Sequence, residues 1–193
     1  MDRTDELLAE IKLEFPRFRV VSKRDDRLSK LIDRVLRVVT FGGQRDYLTH
    51  YYTVLFHTLY TPDGWERSDD LDRVITLRHE RVHLRQLRRY TPPGMVFLYI
   101  FPFAPLGLAY GRARIEWEAY TETIRATAEL RGLEAAQSPR LRKHIIKQFT
   151  SGSYGWMWPF ERQVERWYDE ALARITAEVS GRPLDATTMD REG

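Results

Sequence analysis

Apolar side chains recur at helical spacing over most of this chain, and the breaks between the runs carry ordinary stop signals. Leu7, Leu8, Ile11 and Leu13 place one short helix over Asp5 to Phe15, ended by Pro16. Phe18 to Val21 then suits a strand. A second helix is expected from Asp25 or Asp26, through Leu28, Leu31, Ile32, Val35 and Val39, to the stop at Gly42-Gly43. Tyr51 to Tyr60 (YYTVLFHTLY) is dense in β-branched and aromatic residues and runs into the turn sequence Thr61-Pro62-Asp63-Gly64, which predicts one strand.

Ser68 or Asp69 can cap a helix through Leu71, Val74, Ile75 and Leu77 to about Arg89, where Thr91-Pro92-Pro93-Gly94 should break it. Further helices are expected from Arg112 to Leu130 before Gly132, from Ser138-Pro139 to Phe149, and from Phe160 to Val179. The segment Thr150 to Pro159 reads as an aromatic, glycine-bearing loop. These elements predict an α+β fold, mainly helical with a small antiparallel sheet. Residues 1–180 form one domain and residues 181–193 a flexible tail.

Composition narrows the chemistry. Of 193 residues, 42% are hydrophobic and 31% charged, the balance of a globular chain able to bury a core. There is no Cys, which removes disulfides, thiolate metal sites and a thiol nucleophile, so any metal must sit on His and carboxylate. The net charge of +3 neither demands nor excludes a nucleic-acid partner. Met95 to Tyr110 is the most apolar stretch, but it is short of the ~20 residues of a spanning helix and holds Pro102 and Pro105, so no transmembrane segment is expected. Met1 to Glu10 shows no apolar run behind a basic start, and a cytoplasmic location is expected.

The chemistry concentrates in Leu77 to Gln86, which contains His79-Glu80-Arg81-Val82-His83. Residues four apart stack on one helix face, so the imidazoles of His79 and His83 aim at one point able to hold Zn2+. Glu80, beside them, is placed to take a proton from water attacking a carbonyl. A catalytic zinc needs a third protein ligand. Arg114 to Tyr120 supplies two carboxylates for that role. Glu116 shares a face with Ala119, Tyr120 and Thr123 and is preferred. Glu118 pairs with Glu122 on the wetter side and is the alternative.

His79-Glu80-x-x-His83 with Glu116-x-x-Ala119 beginning 33 positions after His83 resembles the gluzincin branch of zinc metallopeptidases, and the small size is similar to the minigluzincins. The resemblance covers roughly residues 51–126. It implies a zincin-like fold, zinc held by His79, His83 and Glu116, Glu80 as general base, and a peptide or protein substrate. Many members of that branch have an Asp four residues after the Glu ligand, bonded to a zinc His; here that place is Tyr120.

A donor for the developing oxyanion is expected from Tyr154, in Gly152 to Trp156, with His144 as second choice. The aromatic residues of that loop also suit a packed lid. His50 and His57 read as structural. Arg78, Arg81, Arg85, Arg88 and Arg89 read first as a solvated helix face. Two other functions stand beside the peptidase: a non-catalytic zinc-containing binding or regulatory module, and a protease acting on DNA-bound proteins, which the arginines would serve.

Overall fold

The computed structural model describes residues 2–22, 53–55, 57–62, 64–100, 110–151 and 157–181. The helix expected over 25–42, His50, Tyr154, Trp156 and the expected tail at 182–193 lie outside them. The elements are α1 (Arg3–Glu14), β1 (Arg19–Ser22), β2 (Thr53–Leu55), β3 (Thr58–Thr61), α2 (Asp70–Ile100), α3 (Tyr110–Arg131), the one-turn α4 (Leu133–Ala136), α5 (Pro139–Thr150) and α6 (Glu161–Ser180). A 3-10 turn, Trp65–Arg67, leads into α2. The chain is therefore α+β and mainly helical. No helix among the described residues is long and apolar enough to cross a membrane.

Local chemistry accounts for the helix ends. The Ser138 hydroxyl accepts from Leu141 N at 3.3 Å with Pro139 in the first turn, so one orphan amide of α5 is satisfied and the proline costs no hydrogen bond. Gly132 after α3 and Gly181 after α6 take φ of 90° and 63°, values that L side chains avoid.

Two expectations are corrected. The stretch Tyr51 to Tyr60 is not a single strand: β2 and β3 pair antiparallel with Leu55 opposite Thr58, so the chain reverses inside the run. Nor is the sheet wholly antiparallel. Its order is β1-β3-β2, and β1 runs parallel to β3, with Val20 opposite Leu59. All four residues of β3 are buried, as a central strand flanked on both sides requires.

The break expected at Thr91 to Gly94 is a kink. Thr91 adopts φ 61° and ψ 158°, after which helical backbone resumes to Ile100. Such a conformation costs a residue other than glycine roughly 1–3 kcal/mol, so the neighbouring elements must hold it. Of the apolar stretch Met95 to Tyr110, residues 101–109 lie outside the described part.

The core has two parts. Leu7 and Ile11 of α1 and Phe15 just after it meet Phe18, Leu59, Trp65, and Val74, Leu77 and Leu84 of α2. Trp117, Tyr120 and Ile124 of α3 meet Ile145 and Phe149 of α5 and Val164, Tyr168 and Ile175 of α6. The helices α2 and α3 pack along each other, so a side chain between them has a packed layer behind it on each side. Rotamers there are held from both directions.

Candidate metal centre

His79 and His83 leave α2 on the face turned to α3, one helical turn apart, and Glu116 leaves α3 toward them. The two Nε2 atoms are 3.2 Å apart. His83 Nε2 lies 3.7 Å from Glu116 Oε2. One ligand atom from each of the three residues falls within 4.8 Å of the others. Glu116 is buried at 6% exposure, whereas Glu118 is exposed, which separates the two carboxylates weighed from the sequence.

The groups behind the rings fix which nitrogen carries hydrogen. His83 Nδ1 is 2.9 Å from Gln86 Oε1, and Gln86 Nε2 donates to the Ile115 carbonyl at 3.0 Å and to Glu118 Oε2 at 2.9 Å. With the amide nitrogen spent on two acceptors, the oxygen faces the ring, and an amide oxygen can only accept. His83 therefore donates from Nδ1. His79 Nδ1 is 3.0 Å from Thr123 Oγ1, whose hydroxyl donates to the Ala119 carbonyl at 3.3 Å and so accepts from the imidazole. Burial, then the neighbouring His83, holds the His79 pKa well below the imidazole range, so that ring is neutral.

The His79 ring consequently presents a bare lone pair at Nε2, which faces Nε2 of His83 beside the Glu116 carboxylate. Two imidazoles and a carboxylate brought this close offer ligand atoms to a single cation. Two nitrogens at ~2.05 Å from a tetrahedral zinc stand about 3.3 Å apart, close to the separation found, and a two-imidazole, one-carboxylate donor set suits zinc. The residues fit a divalent metal.

Glu80 follows His79 on α2 and is buried at 6% exposure. Tyr120, in the place where many gluzincins carry Asp, packs edge-on against the His79 ring at 4.9 Å between centroids and against Phe149 at 5.5 Å. The group that orients His79 is instead Thr123, one turn further along α3. Neither Thr123 nor Gln86 was singled out from the sequence as an orienting group. The signal available was their position on the same faces as Glu116 and His83.

The other candidates fall elsewhere. His144 is exposed on α5, with Gln148 as its neighbour at 3.5 Å. His57 sits in the turn before β3, where its carbonyl accepts from Arg19 N at 2.9 Å. The arginines of α2 are not uniformly solvated. Arg78 pairs with Glu122 and Glu129 of α3, while Arg81 pairs with Glu10 and Glu14 and Arg85 with Glu14 of α1. Those three guanidinium groups already have carboxylates, which weakens the case for DNA on this face. No protein-family profile, curated protein or solved structure matches the chain.

Proposed function

We propose that the chain is a zinc-dependent peptidase of gluzincin type. The observation that carries the reading is the convergence of two Nε2 atoms, 3.2 Å apart, beside the Glu116 carboxylate. His79, His83 and Glu116 would hold the ion. Bound there, zinc supplies Lewis acidity toward a scissile carbonyl and makes water a nucleophile near neutral pH.

The chain's own groups do the rest. Glu80 takes a proton from the attacking water on a carboxylate oxygen and returns it to the leaving amine, a transfer of general acid–base type. Gln86 and Thr123 keep each imidazole protonated at Nδ1, so that Nε2 stays available. An extended peptide pairs with a sheet edge. Because β3 is flanked on both sides, the peptide would pair at an edge of the described sheet, and of its two edge strands β2 is the one placed here because it packs by α2.

The test is metal analysis of protein purified without chelator, followed by Glu80→Gln. One zinc per chain in both proteins, with peptide cleavage lost only in the variant, supports the reading. Unchanged cleavage by the variant overturns the role of Glu80. Zinc without cleavage of any peptide in a mixed-sequence library overturns the peptidase and favours a zinc-containing binding module.

A further inference from the structure

Where the end of α1 meets the part of α2 beyond His83, the described residues line an open cleft of about 560 Å³. Phe15, Pro16, Leu84 and Leu87 give it an apolar floor, His57 lines it as well, and the exposed Arg17 and Arg88 stand at its mouth. None of His79, His83 or Glu116 lines it. Leu84 and Leu87 continue down α2 from Glu80 at i+4 and i+7, so the cleft begins on a face next to that of the histidines and runs away from them. It reaches Thr91, where α2 kinks. Its volume falls in the ordinary range of small-molecule sites.

The charges at the mouth set the ligand chemistry. Glu14 also lines the cleft, but Arg85 and Arg81 already hold its carboxylate, at 2.7 and 2.6 Å. Arg17 and Arg88 are exposed, and neither has an ion pair among the described residues. Two guanidinium groups beside a surface from which a ligand expels water bind a carboxylate through paired, charge-assisted hydrogen bonds. A neutral ligand would cover the floor and leave both cations without a counter-charge.

We propose that this cleft is a second ligand site, for a small molecule with an apolar body and a single carboxylate head. Leu84, Leu87, Phe15 and Pro16 receive the body, and Arg17 and Arg88 the head. A medium-chain fatty acid and the C-terminal residue of a hydrophobic peptide share this chemistry. The site goes beyond the peptidase reading and does not require a metal.

The test is calorimetric titration of the full chain, kept in chelator so that no metal competes for the carboxylate. The ligands are decanoate, N-acetyl-phenylalanine and the amides of both. Binding of at least one acid below about 1 mM, with its amide at least about tenfold weaker, is the expected result; which acid binds identifies the body the floor accepts. Arg17→Ala and Arg88→Ala, both at exposed positions and so without effect on the thermal melt, should each weaken the acid about tenfold. Glu116→Ala should leave it unchanged, which separates this site from the metal centre. Equal binding of acid and amide, absence of binding by both acids, or full affinity in both arginine variants would overturn the proposal.

Discussion

Two sides of α2 carry ionisable residues at similar helical spacing and reach opposite electrostatic outcomes. Toward α1, Arg81 and Arg85 meet Glu10 and Glu14, and each of these four has an opposite charge within reach. Toward α3, His79 and His83 meet Glu116, and all three are groups of metal-ligating type. The first side is a set of ion pairs. The second gathers metal-ligating groups, with Gln86 and Thr123 behind the two rings. A cluster of ionisable residues on a helix thus becomes a candidate site through the kind of group its neighbours bring to it, not through its own density.

The contrast can be broken most strongly at Glu80. Glu80→Gln should reduce peptide hydrolysis by roughly 10²- to 10⁴-fold while zinc content is unchanged, read by initial rates beside elemental analysis. Equal loss of zinc and activity would make Glu80 a structural support of the centre. Next come the orienting groups. Gln86→Leu and Thr123→Val should each lower zinc affinity by about 10- to 100-fold in a competition titration with a chromogenic chelator, since each frees an imidazole to turn or change tautomer. No change in either would mean that packing alone, including Tyr120 against His79, orients the rings.

The smallest effect belongs to the paired side. Hydrogen bonds from Arg85 and then Arg81 hold the Glu14 pKa below the ordinary carboxylate range. Its contribution is therefore present at neutral pH and is lost as pH falls through the depressed Glu14 value. Glu14→Gln should cost up to about 1 kcal/mol in urea unfolding at pH 7, and its gap to the parent should close in acid. Zinc affinity should not move. A fall in zinc affinity on Glu14→Gln would show that the two sides of α2 are coupled.

Some of this was legible along the chain and some was not. The boundaries of α5 and α6 follow from Ser138-Pro139, Phe160 and Gly181, where the deciding chemistry lies within a few residues. The hairpin inside Tyr51 to Tyr60 escaped because the run carries no Gly, Asn or Pro to mark a reversal. The parallel pairing of β1 with β3 depends on a contact between residues about 40 apart, which no local pattern encodes. At the site, His79, His83 and Glu116 could be read from spacing and helix phase. Gln86 and Thr123 could not, because an amide or a hydroxyl in a helix acquires an orienting role only from what packs opposite it. The same holds for Glu10 and Glu14, whose pairing with the α2 arginines depends on how α1 lies across that helix.

The most direct measurement is zinc stoichiometry and affinity of the full chain beside His83→Ala and Glu116→Ala. The account predicts one tightly held zinc per parent chain and affinity more than about 100-fold weaker in each variant, since loss of a ligand should exceed loss of an orienting partner. A parent chain that takes up no zinc, or variants that hold it as tightly as the parent, would contradict it.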